Sequence, residues 1–198
     1  MRYPNVARNP NTPELMNKGL KEEEHVRKLN YQDLDRFNKL TRYYTDGDLL
    51  DAGCLNSPIC AELKAKFPKY NFYGLDHACD VINHFQKLCP KVIYVCSDCY
   101  QMPFKDEFFQ YVVASEILEH LDEPNKLIDE IFRVLKPEGI MAFSVPLNEF
   151  GKQQGGELHV NWFQSDEIKR MFPEFSKVEL EEYDCGAAVK FIIGWVKK

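Results

Sequence analysis

No stretch of the 198-residue sequence is apolar for long enough to cross a bilayer, which needs about 20 consecutive residues, and no membrane span is expected. Positive charge is in deficit. Lys and Arg number 25 against 31 Asp and Glu, for a formal charge of −6, and the basic residues are spread along the chain instead of forming a block. Broad attraction to a phosphate backbone is therefore unsupported, and no strong nucleic-acid signal is present. The first thirty residues carry Pro4, Pro10 and Pro13 and then Lys21 to Glu24, without the apolar core of a signal peptide, so export by the usual route is not expected. The seven cysteines are odd in number and scattered, and with no secretory signal beside them reduced thiols in a cytoplasmic setting fit, with no disulfides. Cys96-x-x-Cys99 has no second pair and encloses Asp98, which argues against zinc or thiol-redox chemistry there. Internal repeats and low-complexity tracts are missing.

The composition that remains, 44% hydrophobic and 28% charged, is that of a globular protein with one good core. Thr12-Pro13-Glu14 reads as a helix start leading into Leu15, Leu20, Val26 and Leu29, and Leu34, Phe37, Leu40 and Tyr44 give a second helical period that stops near Asp46-Gly47. From Asp48 the pattern changes. Short apolar runs at Leu49-Leu50, Asn71 to Leu75, Val92 to Cys96, Tyr111 to Ala114 and Ile140 to Val145 alternate with helical stretches at Pro58 to Lys66, Ala78 to Leu88 and Asn125 to Leu135, the last stopped by Pro137 and Gly139. After a polar loop, 148–156, come a helix near Ser165 to Met171 and two runs, Lys177 to Tyr183 and Ala188 to Val196, close enough to pair antiparallel. The fold class is α/β: a Rossmann-like, doubly wound, mostly parallel seven-stranded sheet with an antiparallel carboxyl-terminal hairpin and helices on both faces. Residues 1–46 form an amino-terminal helical cap and 47–198 the main domain, one compact unit in all.

Ligands of such sheets bind outside the carboxyl ends of the strands, and here three of those ends are acidic: Asp51, Asp76 and Asp98. A carboxylate at Asp76 suits the two hydroxyls of a ribose, Asp98 suits an exocyclic adenine amine, and Asp51 orders the loop or meets an ammonium. Gly53 admits close backbone approach to a ligand.

In order and spacing the pieces resemble the class I S-adenosyl-L-methionine-dependent methyltransferases, over about Leu49 to Val145. The matching segments are Leu49-Leu-Asp-Ala-Gly-Cys54, Gly74-Leu-Asp76, Ser97-Asp98-Cys-Tyr-Gln-Met-Pro-Phe104, Ser115-Glu-Ile-Leu-Glu-His120-Leu and Arg133-Val-Leu-Lys-Pro-Glu-Gly139, the last very similar to the small-molecule, type 11-like branch. The resemblance implies S-adenosyl-L-methionine as cofactor, with Asp76 on the ribose, Asp98 on the adenine amine and Gly53 at the methionine end. Asp51, Cys54, His77, Cys99 and Ser115 complete the implied cofactor set. The sequence departs from that pattern at Leu55 and Ser57, where the family's first motif continues with glycines, and Ser57-Pro58 offers an N-cap with proline at the first helical turn instead.

By the same resemblance Glu116 and His120 lie near the substrate, and His159, in Leu158-His-Val-Asn-Trp162, matches a substrate-side segment. His159 and His120 are each read as orienting an acceptor oxygen or acting as base, or as surface and capping residues. Tyr43 and Tyr44 either cover the cofactor or pack the helix. The lack of an Asn-Pro-Pro-Tyr type sequence argues against methylation of base or glutamine amide nitrogens. The expected function is methyl transfer to a small-molecule, lipid-precursor or sugar acceptor, at oxygen ahead of nitrogen or carbon, by a monomer or homodimer. Two alternatives stay open. One is a methyltransferase-like scaffold that has lost turnover through Leu55. The other is a metal-assisted RNA 2′-O-methyltransferase, since Glu116, Glu119, His120 and His159 also resemble the Glu-x-x-Glu-His site of that group, although no residue is assigned here to a metal.

Overall fold

The computed structural model describes residues 31–55, 57–147, 158–184 and 190–198; the helix expected from Thr12 and the polar loop 148–156 lie outside them. The elements are α1 (Tyr31–Leu40), β1 (Leu49–Ala52), α2 (Ile59–Lys66), β2 (Phe72–Asp76), α3 (Cys79–Leu88), β3 (Ile93–Cys96), β4 (Phe109–Ser115), α4 (Pro124–Val134), β5 (Leu135–Pro146), α5 (Ser165–Lys169), β6 (Lys177–Asp184) and β7 (Lys190–Lys197). A single 3₁₀ turn, Leu118–His120, follows β4. The seven strands form one sheet in the order β3-β2-β1-β4-β5-β7-β6. The first five run parallel, and β7 is antiparallel to both β5 and β6. The expected fold is the observed one.

Covering a sheet on both faces requires strands that are apolar at every position, because neighbouring side chains point to opposite faces. β1 meets this demand except at Asp51: all four of its residues are buried, and three of them are apolar. Leu50 joins a core with Leu75, Val112, Phe143 and the α4 residues Leu127 and Ile131, whereas Leu49 joins one with Phe72, Val113, Phe37 and Leu40 of α1, and Leu63 of α2. α4 starts with Pro124 at its first turn and buries Leu127, Ile128, Ile131 and Val134, the spacing of one helical face. The Tyr111 hydroxyl, deep in the second core, donates to the Leu40 carbonyl at 2.6 Å and so satisfies one of the acceptors left open at the end of α1.

Three local expectations are corrected. The stretch from Leu135 to Gly139, read as a helix end and turn before the strand, is already part of β5. The turn survives as an irregularity, since Leu135 pairs with Phe109 and Ile140 with Tyr111, and Glu138 takes a φ of +64°. The start of α2 falls one residue late: Pro58 occupies the N-cap position, while the Ser57 hydroxyl still accepts from the Ile59 N–H at 3.3 Å. Finally, the thiols are not all reduced. Cys79, opening α3 beyond β2, and Cys96, closing β3, form a disulfide with Cα atoms 5.1 Å apart, because β2 and β3 are lateral neighbours. Cys96 therefore pairs with Cys79 and not with Cys99, which is a free buried thiol.

Candidate active site

The strand order reverses between β1 and β4, and the crevice at that switch point holds a cavity of about 430 Å³. Its floor is the turn after β1. Gly53 N–H and Cys54 N–H both donate to the Leu75 carbonyl, at 2.8 and 3.0 Å, which bends the chain away from the sheet. Gly53 has a φ of +75°, and a Cβ there would meet Ile117 Cδ1 at 2.3 Å, so both the backbone and the opposing wall demand glycine.

Asp76 closes β2 at the cavity wall and is only 7% exposed. Each of its carboxylate oxygens accepts one backbone N–H at 2.9 Å, Oδ2 from Leu55 and Oδ1 from Ala78. A carboxylate oxygen has room for a second hydrogen bond, so the pair is fixed in orientation with acceptor capacity left over. Leu55, which stands where a glycine was expected, has the positive φ of that glycine, +38°. Its side chain packs against the Ala78, Val81 and Phe85 cluster, at the edge of the cavity.

Asp51 lies beneath the floor and does not line the cavity. It is 2% exposed, and its Oδ2 has no hydrogen-bond partner among the described residues. Burial pushes its carboxyl up to about 7; the Ser57 hydroxyl works against that shift and the charge of Asp76 adds to it. Asp98 is on the wall, exposed, with Oδ1 accepting from the Tyr100 N–H at 2.8 Å. His77 and Cys99 line the cavity as well, and the His77 Nε2 is enclosed with no hydrogen-bond partner among the described residues. Burial raises the Cys54 thiol and takes that of Cys99 up to about 12, so both stay protonated. Cys54 and Ser115 do not reach the cavity: Cys54 packs under Gly74, and Ser115 Oγ is 2.9 Å from Ser144 Oγ.

Beyond β4 the chain makes a sharp exit at Glu116, whose φ is +54°. Its carboxylate accepts from Ser144 Oγ at 2.8 Å and pairs with Arg36 of α1 at 3.6 Å. His120, at the end of the 3₁₀ turn, also lines the cavity, with Nδ1 3.1 Å from the Leu158 carbonyl. Burial holds the His120 imidazole below its ordinary value. The same burial, reinforced by Glu116, raises Glu119 well above the usual carboxylate range. His159 is not on the cavity but stands behind His120, ring centroids 4.8 Å apart.

Of the residues expected at the site, Gly53, Asp76, His77, Asp98, Cys99, Glu116 and His120 meet at one cavity. Sequence reasoning missed Tyr100, Ile117, Leu121 and Asp122 on its walls. Tyr43 and Tyr44 are packing residues: Tyr44 sits between Phe67, Phe72 and Tyr111, and Tyr43 lies against Trp195.

Residues 50–143 match a family described as methyltransferase domain. That segment, just under half of the chain, is a class I methyltransferase domain. A probable S-adenosylmethionine-dependent methyltransferase of Mycolicibacterium smegmatis is 28% identical over 132 residues, covering 67% of this chain and 50% of that protein. A sterol 24-C-methyltransferase of Schizosaccharomyces pombe is 34% identical over 100 residues, covering 48% and 26%. The chain thus spans half or less of the length of these relatives. Among solved structures, a possible histamine N-methyltransferase from Thermotoga maritima superposes with a TM-score of 0.74 at 16% identity, over 94% of this chain and all of that one, a likeness of fold.

The methyltransferase cavity fits the cofactor that the fold implies. Asp76 offers two oriented acceptors to vicinal hydroxyls, and the left-handed turn at Gly53 leaves backbone bare where a side chain would intrude. The enclosed His77 Nε2 adds an unsatisfied polar atom for a ligand to meet.

Proposed function

We propose that this protein binds S-adenosyl-L-methionine in the cavity between β1, β2 and β4 and transfers its methyl group to an oxygen of a small metabolite, lipid precursor or sugar. The observation that carries the reading is Asp76, a nearly buried carboxylate held by two backbone N–H groups with one further acceptor site on each oxygen. Asp98, across the cavity, takes the adenine amine, and Gly53 the methionine end. When bound, the cofactor supplies an electrophilic methyl on a sulfonium.

Because displacement at a sulfonium is in line, the protein's main contribution is to hold the acceptor opposite the methyl. Glu116 and His120 bound that end of the cavity. Glu116, kept in place by Arg36 and Ser144, is the carboxylate that receives the proton of an acceptor hydroxyl. The apolar Ile117 and Leu121 exclude water beside it. A relative named for methylating a sterol supports a small-molecule acceptor.

The test is calorimetric titration with S-adenosyl-L-methionine and S-adenosylhomocysteine. Micromolar binding to the wild type that falls at least tenfold in Asp76→Asn is expected. A folded wild-type protein that binds neither would sink the reading and leave a methyltransferase-like scaffold.

A further inference from the structure

One side of the cavity wall is built from the ends of two neighbouring strands. Asp76 and His77 leave β2, and Asp98 and Cys99 leave β3. β3 is the outer edge of the sheet, four residues long and exposed at both ends, and among the described residues it pairs with β2 alone. α3 runs between the two strands in the chain and ties β3 at two points. In its last turn Gln86 donates to the Val92 carbonyl and accepts from the Tyr94 N–H, both at 3.1 Å. At its first residue, Cys79 is bonded to Cys96, the last residue of β3. This second tie adjoins the cavity. Cys79 follows Ala78, whose N–H holds Asp76 Oδ1, and Cys96 stands opposite Asp76 in the ladder, two residues before Asp98.

Beyond Cys96, the Ser97 N–H fixes the Asp98 segment to the sheet by donating to the Asp76 carbonyl at 3.0 Å. Asp98 itself bonds within its own loop, accepting from the Tyr100 and Gln101 N–H groups. The disulfide is thus a principal tie between the Asp76 and Asp98 parts of the wall. Cys79 and Cys96 are both exposed, whereas Cys54, Cys60 and Cys99 are buried. Exposed disulfides are the ones that solvent thiols reach and exchange with.

We propose that Cys79 and Cys96 form a reversible thiol–disulfide site that sets the cofactor affinity of the cavity by exchange with a solvent dithiol. In opening, one thiolate of the dithiol attacks an exposed sulfur, the Cys79–Cys96 bond breaks, and a mixed disulfide forms. The second thiolate then displaces the remaining protein sulfur. The dithiol ends as its own disulfide, two electrons pass to the protein, and two protons end on the Cys79 and Cys96 thiols. Closure is the reverse and consumes an oxidised dithiol. With the bond closed, Asp76 and Asp98 keep a fixed separation, and an adenosine that spans them meets a preformed site. With it open, the Gln86 tie and the β2–β3 ladder keep the fold, but residues 97–99 gain freedom that a ligand must remove on binding. The effect on affinity rests on the reading that Asp76 and Asp98 hold the cofactor.

Differential alkylation with mass spectrometry reads the chemistry on the folded chain. Dithiothreitol should free Cys79 and Cys96 for alkylation ahead of Cys54, Cys60 and Cys99, and an oxidised dithiol should restore the bond. Calorimetry with S-adenosylhomocysteine should show binding weaker by about fivefold or more after reduction, recovered on reoxidation. Cys79→Ser and Cys96→Ser should stay at the reduced value in either buffer. Circular dichroism checks that each variant folds, and if one does not, the other decides. A bond that does not form with an oxidised dithiol, that resists dithiothreitol in the folded chain, or that leaves the affinity unchanged would overturn the proposal. If neither form binds S-adenosylhomocysteine, the cofactor reading fails, and amide hydrogen exchange across residues 95–100 decides the site separately. Faster exchange in the reduced form upholds it as a control of that wall, and unchanged exchange removes it.

Discussion

Asp51 stores a pH-dependent cost beneath the cavity floor. Its carboxyl is pushed up to about 7 in the folded chain from 3.8 in an ordinary environment, chiefly by burial, so the native state holds the proton more tightly than the unfolded state does. Stability from this group is therefore fully present below about pH 4 and is lost as pH rises through about 7. A shift of that size corresponds to about 4 kcal/mol over the whole window, of which about 3 kcal/mol falls between pH 5 and pH 8. Urea denaturation of wild type and Asp51→Asn at pH 5, 6, 7 and 8 isolates it, because the other titrating groups are common to both proteins. The difference in unfolding free energy should move in favour of Asp51→Asn by about 3 kcal/mol from pH 5 to pH 8. Parallel pH profiles for the two proteins would refute the account and mean that Asp51 is far better solvated than its 2% exposure implies.

Two further substitutions test the frame around the site. Gly53→Ala must place a Cβ 2.3 Å from Ile117 Cδ1 in a left-handed backbone, and should cost about 1–3 kcal/mol in denaturation and at least tenfold in affinity for S-adenosylhomocysteine. An unchanged melting temperature would contradict it. Arg133 binds Glu130 and Asp106 and donates to the Met102 and Phe104 carbonyls at 3.1 and 2.8 Å, tying α4 to the loop before β4. Arg133→Lys cannot reproduce that planar fork and should lose about 2 kcal/mol in urea denaturation, with wild-type stability as the refuting result.

What the sequence disclosed and what it hid divide along physical lines. Asp51, Asp76 and Asp98 were legible because each is a charge at or just after the end of a short apolar run, and that contrast marks the carboxyl end of a strand whatever the rest of the fold does. Ile117 and Leu121 were not, since a cavity wall and a core use the same side chains. Leu55 could be flagged from its position but not judged. Only the backbone shows that it adopts the glycine conformation and sends its side chain toward Val81 and Phe85, leaving its N–H to Asp76.

The same distinction governs the contacts between distant parts of the chain. Cys79 and Cys96 are 17 residues apart with a helix between them, and their meeting follows from β2 and β3 being neighbours, a fact about topology that no spacing rule contains. Glu119 and His159 are joined in the same way, through backbone hydrogen bonds from Val160 and Asn161 to the Glu119 carbonyl. Sequence reading could place Glu119 beside His120 but could not show that its carboxylate is buried with neither oxygen hydrogen-bonded among the described residues. That burial holds a carboxylate well above its usual range directly beside His120, a residue of the cavity wall.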